Sequence, residues 1–120
     1  MENSQIRLIA IDMDGTLLNE DCQISEENVR AMREAAEEGI HFAIISGRIP
    51  EDISYFLSDA GLEKCFVAGL NGCCCLDRPH GETIFTHYME DAAVEKCISI
   101  LEADQVTYSA FGRSHIAISR

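Results

Sequence analysis

No apolar run in this 120-residue sequence approaches the ~20 residues that a membrane-spanning helix needs. Residues 1–10 also lack the basic-then-apolar layout of a secretory signal. Positive charge is scarce: nine Lys and Arg stand against 21 Asp and Glu, for a net charge of −12 at pH 7. That balance argues against nucleic acid and against anionic membrane surfaces as partners, since both attract cationic faces. The six cysteines form no pair of C-x-x-C clusters, and no two histidines stand at ligand spacing, which argues against zinc. Cys73, Cys74 and Cys75 are adjacent, while Cys22, Cys65 and Cys97 are scattered. They read as free thiols of a reducing compartment, and the expected location is the cytoplasm.

What is present is enough to build a core. With 47% hydrophobic residues, the chain needs no metal or disulfide to staple it. Strand-like and helix-like segments alternate, which points to an α/β fold with a parallel sheet. Residues 6–13 read as a buried strand ending in carboxylates, Asp14-Gly15-Thr16 as a turn, and Leu17 to Ile24 as a loop or small flap. Ser25 is a good N-cap, with Glu26 and Glu27 in the first helical turn. Val29, Met32 and Ala36 give that helix an apolar face, and Gly39 closes it. A second strand, His41–Ser46, leads through Gly47-Arg48 to Pro50, which suits the first turn of a helix with Ile53, Phe56, Leu57 and Ala60 on its buried stripe. Cys65–Leu70 is a third strand, and Cys73–Leu76 and Thr83–Phe85 flank a hairpin loop. From about Thr86 the character changes. Asp91 can cap a helix with Val94, Cys97, Ile98 and Leu101 on one face, and 106–109 and 114–119 can pair as strands.

Ligands of open parallel sheets bind beyond the carboxyl ends of the strands. Three strands deliver polar turns there: Asp12-Met13-Asp14-Gly15-Thr16, Ser46-Gly47-Arg48 and Asn71-Gly72. A carboxylate such as Asp12 can attack phosphorus, and a second one, Asp14, can protonate a leaving oxygen and then activate water. Magnesium prefers carboxylates and keeps several waters, so it suits the same rim. The Ser46 hydroxyl and nearby backbone N–H groups can hydrogen-bond phosphoryl oxygens. Taken singly, each turn has a bland reading: a polar turn for D-x-D-G, a strand-end hydroxyl for Ser46, a hairpin turn for Asn71-Gly72. A calcium EF-hand loop is excluded, because its glycine belongs at the sixth place, whereas Gly15 is fourth counting from Asp12. His41, His80, His87 and His115 show no catalytic spacing and read as surface or strand-end residues.

The ordered set resembles a known family. Asp12-Met13-Asp14-Gly15-Thr16-Leu17 after an apolar strand is similar to the first motif of the haloacid dehalogenase-like hydrolases. Ser46-Gly47-Arg48 resembles their second motif, and Asn71-Gly72 the Asn-Gly of the sugar-phosphate phosphatase branch with a large α/β cap (Cof-type). The resemblance implies a Rossmann-like parallel-sheet core over 1–85 and the beginning of a cap over 86–120. It implies a magnesium-dependent phosphatase acting on small phosphorylated substrates through an aspartyl-phosphate. Asp12 would be the nucleophile and a magnesium ligand, and Asp14 the acid/base, binding metal through its backbone carbonyl. Gly15, Thr16, Ser46, Gly47, Arg48 and Asn71 would lie at the phosphoryl group and substrate.

The family's later lysine and acidic motifs have no counterpart here: Lys64 and Lys96 do not follow a complete cap, and Asp104 lacks the glycine-aspartate context. The chain therefore reads as truncated inside the cap. The expected consequences are an unpaired apolar edge at Leu8–Ile11 that invites self-association, and an alternative role as a catalytically incomplete module that binds metal or phosphate or serves in interaction. A signalling receiver domain also uses an aspartate and magnesium at this length. It needs an aspartate at the end of its third strand, where this chain has Leu70-Asn71-Gly72.

Overall fold

Apolar residues on both faces of Leu8–Asp12 and His41–Ile45 make strands that belong inside a sheet, and the helix between them forces a parallel connection. A computed structural model describes residues 5–119. It is an α/β fold with the element order β1 (Leu8–Asp12), α1 (Glu26–Glu37), β2 (His41–Ile45), α2 (Pro50–Asp59), β3 (Phe66–Gly69), β4 (Cys74–Leu76), β5 (Thr83–Thr86), α3 (Asp91–Ala103), β6 (Ser109–Phe111) and β7 (Ile116–Ile118). The main sheet runs β1-β2-β3-β4-β5, with β1, β2 and β3 parallel and β4 and β5 antiparallel. β6 and β7 form a separate antiparallel pair.

Register sorts the sheet into two faces, because in-register neighbours point the same way. Ile11, Ile44, Val67 and Leu76 form one row. It belongs to a cluster with Met32 of α1 and with Ile53 and Leu57 of α2, in which Ile44, Val67, Leu76, Ile53 and Leu57 are all fully buried. The opposite row, Ala10, Ala43 and Phe66, together with Leu8 and Ile45, is left open among the described residues: Leu8 is 53% exposed and Ile45 41%. Among the described residues β1 pairs with β2 alone, so its other side is a sheet edge there, as expected from the sequence.

Most local expectations hold. Ser25 Oγ accepts the Asn28 N–H at 3.2 Å, and Pro50 opens α2. The flap is real: Leu18 and Ile24 pair as an antiparallel bridge, and Asn19 Oδ1 takes the N–H groups of Asp21 and Gln23. The four histidines are exposed. Several details differ. Ala36 is exposed and Ala35 packs on the core instead, because the helix turns its face toward what it meets. Glu90, not Asp91, is the N-cap of α3, and neither helix-start side chain makes a capping bond there. On α3, Val94, Ile98 and Leu101 are half-buried but Cys97 is exposed. The final hairpin is shorter and shifted, with Phe111 inside its first strand rather than in the turn.

Candidate active site

The first site turn is built by burial. Met13 is fully buried and Leu17 nearly so, and the Leu18 N–H closes back onto the Met13 carbonyl at 2.9 Å. With both ends sunk in the core, Asp14, Gly15 and Thr16 are held up in solvent. Gly15 takes φ +74 at the crest, a conformation that side chains with a Cβ resist. Asp12 is the last residue of β1, exposed and in register with Ile45.

The second and third turns are tied to each other through the backbone. The Ser46 N–H donates to the Ala68 carbonyl at 3.0 Å, the Asn71 N–H to the Ser46 carbonyl at 3.0 Å, and the Leu70 N–H to the Arg48 carbonyl at 2.8 Å. Ser46 is buried, and its Oγ accepts the Arg48 N–H at 3.2 Å while its own proton stays free to donate. Asn71 holds φ +56, and its side chain lies over Gly47, where a Cβ would come within 3.2 Å of Asn71 Oδ1. Thus the carboxyl ends of three adjacent parallel strands carry Asp12, Ser46 and Asn71 on one rim.

Arg48 joins the first turn to the second. Its Nε donates to Asp14 Oδ2 at 2.8 Å and its Nη2 to Oδ1 at 2.7 Å, a bidentate pair. The hydrogen-bonded guanidinium holds the Asp14 carboxyl below the usual carboxylate range, outweighing an opposing desolvation. Arg48 also lies over the Phe56 ring, 5.0 Å from its centroid. Sequence reasoning placed Phe56 on a buried helical stripe and missed this supporting role. Nothing in the spacing of Arg48, Phe56 and Asp14 announces it.

Among the described residues, no side chain donates to the Asp12 carboxylate, and no group of three or more His, Cys, Asp or Glu could hold a metal ion. One exposed carboxylate beside a turn carbonyl still suits magnesium, which is bound by one or two carboxylates and otherwise by water and phosphate. All six cysteines are free thiols. Burial pushes Cys65 up to about 11, and burial, with Cys74 and Cys73 beside it, raises Cys75 as well.

A family model described as haloacid dehalogenase-like hydrolase matches residues 9–120. The chain belongs to that family. It is 34% identical to the phosphatase YwpJ of Bacillus subtilis (strain 168) over 111 residues, covering 92% of this chain and 38% of that protein. A solved haloacid dehalogenase-like hydrolase from B. subtilis superposes with a TM-score of 0.83 at 33% identity, over 92% of this chain and 38% of that one. A sugar phosphatase of subclass IIB of the superfamily matches with a TM-score of 0.73 over 93% of this chain and 43% of its own. At 23% identity, that likeness speaks for the fold. The chain therefore spans well under half the length of the relatives it matches.

Proposed function

We propose that this chain forms the nucleophile-bearing part of a magnesium-dependent phosphatase that hydrolyses small phosphomonoesters such as sugar phosphates. The observation that carries the reading is the single rim holding Asp12, Ser46 and Asn71 at the ends of β1, β2 and β3. An Asp12 oxygen attacks phosphorus, the ester P–O bond breaks, and Asp14, having taken up a proton from solvent, gives it to the departing alkoxide. Asp14, now a carboxylate, takes a proton from water as that water attacks the aspartyl-phosphate. Inorganic phosphate leaves, and both aspartates are restored. The Ser46 hydroxyl and the Gly15 and Thr16 backbone donate to phosphoryl oxygens, while Gly47, Arg48 and Asn71 border the substrate. The Asp12 carboxylate and the Asp14 carbonyl would hold magnesium, which supplies charge neutralisation at the phosphoryl group when bound.

The reading takes residues 1–85 as the hydrolase core and 86–120 as the start of a cap, in keeping with two separate sheets. Six free thiols, and the lack among the described residues of any helix long and apolar enough to cross a membrane, favour a reducing aqueous compartment, the cytoplasm. A second reading has its own support: the chain covers 38% of its curated relative, and its rim has no acidic cluster among the described residues. On that reading the 120 residues bind metal or phosphate without turning over. The apolar β1 edge further supports association with a second copy. Sedimentation as one monomeric species would overturn that part.

The test is phosphate release from an aryl phosphate by the chain, with and without magnesium, beside Asp12→Asn. Magnesium-dependent release lost by at least a thousandfold in the variant is the expected result. Equal release by the variant defeats the nucleophile assignment, and no release by either selects the second reading.

A further inference from the structure

Both oxygens of the Asp14 carboxylate are engaged by Arg48, at 2.7 and 2.8 Å. A guanidinium does not surrender its proton, so the pair is a fixed fork rather than a proton relay. Proton transfer by Asp14 needs an oxygen aimed at the reacting ester, and the fork, with one N–H on each oxygen, fixes the plane of the carboxylate toward Arg48 instead. Arg48 is itself held in place. Its N–H rests on Ser46 Oγ, its carbonyl takes the Leu70 N–H, and its guanidinium lies over Phe56. The pair is nevertheless open to water, with 31% of the Arg48 side chain and 54% of the Asp14 side chain exposed. Exposed ion pairs are weak, and the geometry that fits a carboxylate fits a phosphoryl group equally well.

We propose that Arg48 is a latch on Asp14 that the substrate's own phosphoryl group opens. The fork stays closed on the carboxylate until a phosphomonoester arrives, then transfers its two N–H groups to phosphoryl oxygens and leaves Asp14 free to move a proton. No covalent bond changes in this step; two N–H···O contacts are exchanged for two others. Arg48 is thereby a positioning residue for Asp14 as well as a substrate contact. A compound without a doubly charged phosphoryl group, such as a phosphodiester, leaves the latch shut, so selectivity for monoesters begins before the chemistry. The inference rests on the roles assigned to Asp12 and Asp14 above.

The test follows the Arg48 Nε–H signal of the ¹⁵N-labelled chain by NMR, in the unmodified protein and in Asp14→Asn, as inorganic phosphate is added in the presence of magnesium. Arg48→Lys identifies the signal by its loss. Without phosphate the two proteins are expected to show different Arg48 positions, because only one has the charged pair. At saturation the two positions converge, since both arginines then hold phosphate. The backbone signals of Gly15, Ser46 and Asn71 move with the same midpoint. If those three move while the Arg48 signals stay apart, the latch is wrong and the phosphate site stands. If the Arg48 signals already coincide without phosphate, the pair is not formed in solution and the latch is overturned. If phosphate moves none of the rim signals, the phosphate-site reading falls and takes the latch with it.

Discussion

Residues 8–79 and 83–119 draw on the same apolar vocabulary and use it differently. Ile44, Ile53, Leu57 and Val67 are fully buried, whereas Ile100, Val106, Phe111, Ile116 and Ile118 are each about half exposed or more. Beyond Pro79 no described residue is buried, and α3 packs extensively against no other element. The chain is correspondingly drawn out, with extents of 55 × 36 × 27 Å and a radius of gyration of 17.3 Å, against about 14 Å for a compact domain of this length. The difference teaches that an apolar stripe is only an offer of burial. In the first region α1 and α2 lie across the sheet and accept it. In the second, a thirteen-residue helix and a short hairpin meet little but solvent. The regions are joined by the β4–β5 ladder and by the His87 N–H on the Cys73 carbonyl at 2.7 Å, and Arg113 reaches back along the chain to Thr83 Oγ1 at 2.7 Å and the Gly81 carbonyl at 3.1 Å.

The sharpest way to break this comparison is to remove the same side chain from each region. Ile44→Ala leaves a cavity where nothing can collapse and is expected to cost about 2–5 kcal/mol in urea unfolding. A loss below about 1 kcal/mol would mean the core is looser than its packing implies.

A pH scan gives the next effect. Burial holds the Cys65 proton more tightly in the folded chain, with a pKa of about 11 against an ordinary 9.0. The unfolded chain therefore loses that proton first as pH rises. Stability is complete below about 9, falls through the window, and is reduced by about 2–3 kcal/mol above 11. Cys75 and Tyr88 lean the same way. Cys65→Ala should flatten the slope between pH 9 and 11, measured as melting temperature by circular dichroism, and an unchanged slope would assign it to other groups.

Gly69 tests how α2 is seated. A Cβ there would meet Pro50 Cδ, Cγ and backbone N at 2.7 Å, so the helix start must shift. Gly69→Ala is expected to cost about 1–3 kcal/mol and to weaken the Ser46–Asn71 rim with it. An unchanged urea midpoint would show that α2 does not rest on β3 in solution. The smallest effect belongs to the second region. Ile118→Ala, at a site 68% exposed, should change stability by no more than about 0.5 kcal/mol. A loss comparable to that of Ile44→Ala would erase the contrast between the regions and point to a partner, or a second copy, covering the hairpin.

Features legible from neighbours a few residues away came through directly. They include the strand–helix alternation, Ser25 as a cap, Pro50 at the head of α2, and the flap after Leu17. The convergence of Asp12, Ser46 and Asn71 was legible too, because parallel strands must all end on the same side and their turns must gather there. Less local features were not. Whether Ala35 or Ala36 faces the core depends on how α1 rolls on the sheet, and Cys97 stays exposed because little lies beside α3.

By itself the sequence determined the order of elements, the α/β class and which residues stand on the rim, since propensity, capping and parallel topology act within one or two elements. Only the tertiary structure decided what those residues do to one another. Arg48 grips Asp14 from 34 residues away, Phe56 supports Arg48, and Pro50 claims the space over Gly69. The open face beside β1 and the only half-buried stripe of α3 were likewise decided there. Such pairings depend on which surfaces meet in space, and no local preference encodes that meeting.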